Sequence, residues 1–314
     1  PRSANPGSCR VKEAAVKPAN GALPKISGSF APGAGSRFIV SELFAQDAII
    51  LGGGLAAERE ETAVAGGEVI AFSCPSPERS SENEDSAAVI PYGPGSAVLV
   101  VADGAGGLPA GRLASQTAVS TLVEYLQRSG ERTITLRTAI LDGIEAANEA
   151  VQKVASGAAT TFTVVTVEGL VARAYQIGDS EGLIVGQRGL LRLQTPVQSP
   201  TGFAVEAGFL NEREALDHQD RHLVSNFLGT SEMRIDIGHA VKLQPRDTIM
   251  LASDGLMDNV LVAEIVERIR KGSLHKAADA VISLARRRMN GSATDQPSKP
   301  DDLTLVLFRK PYRP

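Results

Sequence analysis

Hydrophobic positions along the chain change period several times, and those changes sketch an order of elements. Val98-Leu99-Val100-Val101-Ala102 is an unbroken apolar run, which predicts a strand covered on both faces. It stops at Asp103 and enters the glycine-rich turn Gly104-Ala105-Gly106-Gly107. From 110 to 127 the period lengthens: Ala114, Ala118, Leu122 and Leu126 recur at steps of four and predict a helix. A second helix is predicted over 135–155, with Leu136, Ile140, Ile144, Ala147, Val151 and Val154 on one face. Segments 160–167 and 170–177 read as a hairpin across Glu168-Gly169, and its second strand ends in Gly178-Asp179-Ser180. Another hairpin joins 183–187 to 190–193. A strand at 248–252 ends in Ser253-Asp254-Gly255, and helices are predicted at 261–271 and 273–289. The last strand, 303–308, is entered through Asp301-Asp302.

Other stretches lack a period. Residues 1–36, rich in Pro, Gly, Ala and Ser, predict a flexible tail before a domain spanning 37–314. Residues 195–240 read as an irregular, flap-like insertion. The acidic, serine-rich stretch 75–86 reads by default as a solvated loop between strands at 68–72 and 86–90. Gly52-Gly53-Gly54-Leu55-Ala56-Ala57 formally matches a dinucleotide-binding fingerprint. That pattern needs a following amphipathic helix and an acid closing the next strand. Residues 57–67 carry no apolar period and the next strand runs into Ser73-Cys74, so the nucleotide reading is set aside. The order of strands, helix pairs and hairpins suits antiparallel strands with helix pairs outside them.

Composition narrows the classes. With 314 residues, 43% of them hydrophobic, the chain can bury a sizeable core. A net charge of −4 with scattered cations argues against a nucleic-acid surface, and Arg286-Arg287-Arg288 suits the end of a helix. No apolar stretch approaches membrane-spanning length. Cys9 and Cys74 make neither a disulfide framework nor a zinc motif, which fits the cytoplasm or another reducing compartment. The chain begins with proline, so a removed leader stays open as an alternative. Four histidines make a histidine-rich metal site a poor expectation; a metal here would take oxygen ligands.

Asp85, Asp103, Asp179, Asp254 and Asp301 all stand beside predicted strand ends. Any one of them could simply cap a turn. A strand end fixes a side chain's direction, however, and carboxylates that converge repel one another unless cations hold them. An all-oxygen ligand set selects ions such as magnesium or manganese.

Five short segments occur together and in order: Asn83-Glu84-Asp85, Asp103-Gly104-Ala105-Gly106-Gly107, Gly178-Asp179-Ser180, Leu251-Ala252-Ser253-Asp254-Gly255 and Asp301-Asp302-Leu303-Thr304. In these, the chain from 68 to 310 resembles the metal-dependent Ser/Thr protein phosphatases of type 2C. The resemblance implies an α+β fold, a four-layer α/β/β/α sandwich of two antiparallel sheets flanked by helix pairs. It implies hydrolysis of phosphoserine and phosphothreonine on proteins through a metal-bridging water, with two Mn2+ or Mg2+ ions and a weaker third. Carried over, Asp85, Asp103, Asp254 and Asp301 are the catalytic metal ligands, with Asp103 bridging and the Gly104 carbonyl adding a ligand. Asp179, with the Asp254 side, matches the third-ion residue, and Arg79 the phosphate-binding arginine. The implied partner is a phosphoprotein substrate, with no nucleic acid or membrane, and a monomer is the expectation. Three departures stand out. Arg79 lies six positions before Asp85, where five is usual. Ala105 stands where some members carry histidine, and Asp302 where asparagine is usual. Two other functions compete: a catalytically silent, phosphatase-like regulatory or binding module, and a hydrolase of small phosphate esters.

Overall fold

The computed structural model describes residues 47–78, 82–105, 110–130, 134–291 and 296–311. The expected tail at 1–36, Arg79, and Gly106 and Gly107 of the glycine-rich turn lie outside the described residues. One sheet runs β1 (Ile49–Gly52), β4 (Ser86–Pro91), β5 (Ser96–Ala102), β8 (Phe162–Glu168), β9 (Val171–Ile177), β12 (Asp236–Ile237), with β13 (Val241–Lys242) also paired to β9. The other runs β11 (Leu191–Gln194), β10 (Glu181–Val185), β14 (Thr248–Ala252), β15 (Leu303–Arg309), β3 (Gly67–Cys74), β2 (Glu58–Val64). Every pairing in both is antiparallel. A short ladder joins β6 (Gly104–Ala105) to β7 (Ala159–Thr160).

Strand alternation sorts the apolar side chains into three layers of core. In β5, Val98, Val100 and Ala102 pack toward α1 (Ala110–Ser129) and α2 (Leu136–Val154), while Ala97, Leu99 and Val101 face the other sheet. In β15, Leu303, Leu305 and Leu307 pack toward α5 (Asp254–Met257), α6 (Val262–Ile269) and α7 (Leu274–Met289). Val306 and Phe308 of the same strand enter the inter-sheet core. Both strands are therefore apolar at consecutive positions because each is covered on both faces. The result is the expected α/β/β/α sandwich. Thr135 and Ser273 cap α2 and α7, each accepting from the backbone N–H three residues on.

Three stretches differ from the sequence reading. Residues 58–64 form β2, whose polar side chains suit its place at the edge of the second sheet. Within 195–240 two short helices form, α3 (Pro200–Glu206) and α4 (Glu212–Leu216). Ser199 caps the first, and an Asn211–Glu214 capping box opens the second. The acidic stretch does not end as a solvated loop: Asn83, Glu84 and Asp85 are buried.

Candidate metal centre

Antiparallel register brings the strand-end aspartates to one end of the sandwich. Ser86 of β4 lies opposite Ala102 of β5, so Asp85, entering β4, stands beside Asp103, leaving β5. The turn 178–180 carries the chain from β9 in the first sheet to β10 in the second, with Asp179 in it. Glu181 of β10 pairs with Ala252 of β14, which pairs with Leu305 of β15. Asp179 before β10, Asp254 after β14 and Asp301 before β15 therefore reach the same end as Asp85 and Asp103.

Each position is fixed by its own local bonds. The Asp103 N–H donates to Thr161 Oγ1 (2.9 Å), and its carbonyl accepts from the Thr161 N–H (2.8 Å) and Thr160 Oγ1 (2.8 Å). Gly104 is held where a side chain cannot go: a Cβ there would lie 2.2 Å from the Gly111 carbonyl oxygen and 2.7 Å from that of Glu84. Ser253 Oγ donates to Asp85 Oδ2 (2.7 Å) and accepts from the Thr304 N–H (3.0 Å). Thr304 Oγ1 shares a hydrogen bond with Ser73 Oγ (2.7 Å), which also accepts from Asn83 Nδ2 (2.7 Å). Asn83 Oδ1 in turn accepts from the Asp85 N–H (2.9 Å), so this buried network returns to the backbone of the residue whose carboxylate it supports. Asp302 acts as a buckle: its two carboxylate oxygens accept from the Ser76 and Glu84 N–H groups, both at 2.7 Å. The departure at this position thereby ties the segment before Asp85 to the start of β15.

The electrostatics are those of crowded anions. Burial first, then the charges of Asp85, Asp254, Asp301 and Asp179, hold the Asp103 carboxyl well above the usual carboxylate range. Burial, then Asp302, raises Asp85, against the hydrogen bonds from Ser253 and Thr304. Burial, then Asp254 and Asp258, raises Asp179. Asp258, one helical turn after Asp254, is pushed up to about 6 by burial and by Asp254.

A lysine stands among these acids. Lys299 Nζ donates to Asp254 and to Asp258 Oδ2 (2.8 Å), with Asp301 Oδ2 at 3.4 Å. Burial works to lower the Lys299 ammonium, but Asp254, Asp258 and Asp301 together raise it. Among the described residues, no three acidic, histidine or cysteine side chains stand in ready-made ligand geometry. The donor set nonetheless fits hard divalent ions in its chemistry, because it is all oxygen and its anions repel one another. A cavity of about 570 Å3 opens beside the cluster, bordered by Asp179, Glu181, Arg221, Asp254, Met257 and Asp258 and by helices α3 and α4.

The five aspartates and Gly104 that the sequence singles out all lie at this end, together with Lys299, Asp258, Ser253 and the Thr160–Thr161 clamp, which it did not single out. Asp258 had a signal, since i and i+4 share a helix face. Lys299 lies in an aperiodic loop and had none.

The architecture is thus two back-to-back antiparallel sheets with helix layers outside and an acid cluster at their common end, and comparison with known proteins gives it a class, the type 2C phosphatases. The protein phosphatase 2C family profile matches residues 78–295. The chain belongs to the protein phosphatase 2C family. That match ends before Asp301, whose place beside the cluster rests on the β14–β15 pairing. The serine/threonine phosphatase stp of Listeria innocua is 28% identical over 217 residues, 65% of this chain and 84% of the relative. The Mycobacterium tuberculosis serine/threonine phosphatase PstP/Ppp crystal structure is 25% identical, with a TM-score of 0.63, covering 82% of this chain and 100% of that one. The catalytic domain of PstP in complex with two manganese ions is also 25% identical, with a TM-score of 0.59 over 83% of this chain and 98% of that one. The family's activity is metal-dependent, and among the described residues no helix is long and apolar enough to cross a membrane.

Proposed function

We propose that this chain hydrolyses phosphoserine and phosphothreonine on proteins, with Asp85, Asp103, Asp254 and Asp301 and the Gly104 carbonyl holding two divalent cations, Mn2+ or Mg2+. Asp179 serves a weaker third ion on the Asp254 side, and Arg79 binds the substrate phosphate. The observation that carries this reading is the convergence of five strand-end aspartates on one end of the sandwich. Their mutual repulsion is an anion excess that cations relieve. Four carboxylates balance two divalent charges, which gives the pairing its electrostatic rationale. Manganese in the PstP relative supports the choice of ion.

Bound divalent cations supply charge neutralisation at the phosphoryl oxygens and an acidified water for in-line displacement. The chain's own residues supply position. The Thr160–Thr161 clamp fixes the Asp103 backbone, and the Ser253–Thr304–Ser73–Asn83 network aims Asp85. Glycine at 104 lets the start of α1 pack against the loop that carries the carbonyl donor. The cavity between the cluster and helices α3 and α4 receives the segment that bears the phosphate.

The experiment is phosphate release from a phosphothreonine peptide by protein stripped with chelator and resupplied with manganese. Release that returns with manganese supports the reading. No release under any ion supports a silent module. Turnover of an aryl phosphate that phosphopeptide does not compete with points to small esters.

A further inference from the structure

Lys299 has no part in the proposed hydrolysis, yet the fold is built to deliver it. Its backbone is clamped on both sides by the buried Asn259, whose Oδ1 accepts from the Lys299 N–H (2.8 Å) and whose Nδ2 donates to the Lys299 carbonyl (2.8 Å). Arg288, itself paired with Glu264, donates to the Asn259 carbonyl (2.7 Å) and holds that clamp in place. Pro300 follows and restricts the backbone further. The side chain is only 18% exposed, and its ammonium lies against Asp254, Asp258 and Asp301. A solvated surface lysine would show none of this. Two of its three partners, Asp254 and Asp301, are the carboxylates that the proposed function gives to the metals.

We propose that Lys299 is a tethered counter-cation of the metal centre, which holds the Asp254 and Asp301 carboxylates together and competes with divalent ions for them. This rests on the metal-centre reading. Asp258, which is not among the proposed ligands of the two main ions, gives the ammonium a place to stay when the other two carboxylates turn to a metal. Charge decides the direction of the effect. An ammonium and a divalent cation bind the same oxygens, so each lowers the affinity of the other. A charge-assisted contact given up corresponds to about tenfold in binding. Removing the ammonium should therefore tighten metal binding by about tenfold or more, while the same carboxylates without metal lose a neutralising partner.

The test uses the full chain, stripped with chelator, and calorimetric titration with MnCl2 at fixed pH and salt. Lys299→Gln is expected to bind Mn2+ at least tenfold more tightly than the unmodified protein and to melt at a lower temperature in chelator. Lys299→Arg, which keeps the charge, is expected to stay within about threefold of it. In the unmodified protein, acetylation of Lys299 by an amine-reactive ester, read by peptide mass spectrometry, is expected to accelerate severalfold when Mn2+ saturates the site. That measurement decides the matter if Lys299→Gln does not fold. Equal or weaker Mn2+ binding by a folded Lys299→Gln protein overturns the proposal alone, as does labelling that Mn2+ leaves unchanged or slows. Absence of Mn2+ uptake by both proteins overturns the metal-centre reading and the proposal with it.

Discussion

Ser253→Ala removes one oxygen from the buried network that aims Asp85, and its cost follows from the two shortest hydrogen bonds that oxygen makes. Ser253 Oγ donates to Asp85 Oδ2 at 2.7 Å, a hydrogen bond to a charged group worth about 1.5–3 kcal/mol. The same oxygen is the acceptor of the Thr304 N–H at 3.0 Å, and a buried N–H without an acceptor costs about 1–3 kcal/mol. Ser253 is fully buried, so water does not replace either bond. Asp85 retains its bond from Thr304, which keeps the total near the lower half of the summed range, about 3 kcal/mol. For a domain of this size that corresponds to a fall in melting temperature on the order of 6–10 °C. Asp85 also loses the donor that fixes its carboxylate, so Mn2+ binding should weaken alongside. Thermal melts followed by circular dichroism in chelator give the first number and calorimetric titration the second. A Ser253→Ala protein within about 1 kcal/mol of the parent, with Mn2+ affinity unchanged, would refute the network as the support of Asp85.

Asp103→Asn and Asp254→Asn should each reduce phosphopeptide turnover to background while the far-UV spectrum stays native, because each removes a charge from the proposed ligand set and relieves repulsion at once. Near-normal turnover by either variant would remove that residue from the ligand set. Gly255→Ala should unfold or strongly destabilise this end of the sandwich, since its Cβ would lie 1.8 Å from the Asp302 carbonyl oxygen. Melting temperature and soluble yield read it. The Cys74 thiol is pushed up to about 11, by burial first. It should therefore stay unlabelled by iodoacetamide at pH 8 in the folded protein and react on unfolding. Its raised value favours the neutral thiol, so stability is unaffected by this group below the ordinary thiol range near 9 and falls as pH rises from there through about 11, where the unfolded chain ionises first. Urea titrations of the parent and Cys74→Ala across that window should diverge in pH dependence only there.

What was legible in the sequence was whatever periodicity or a strand end could announce. Val98 to Ala102 read as a strand covered on both faces, and all five are fully buried. Asp103, Asp179, Asp254 and Asp301 stood out because each is beside a strand, and the antiparallel register brings them to one end of the sandwich. The polar stretch before β4 was misread because composition predicts exposure, whereas Asn83 and Asp85 are buried by a hydrogen-bond network with partners up to more than 200 residues away. β2 was missed because an edge strand need not be apolar. Lys299 was missed for a different reason: its position is set by Asn259 and Arg288, contacts that no local pattern encodes.

The most direct measurement of the central claim is an anomalous difference map from crystals of this protein grown or soaked with manganese. Two strong peaks are expected at the common end of the sheets, held by Asp85, Asp103, Asp254 and Asp301, with Lys299 Nζ moved off Asp254. An active protein whose crystals show manganese only elsewhere, or none bound by these carboxylates, would contradict it.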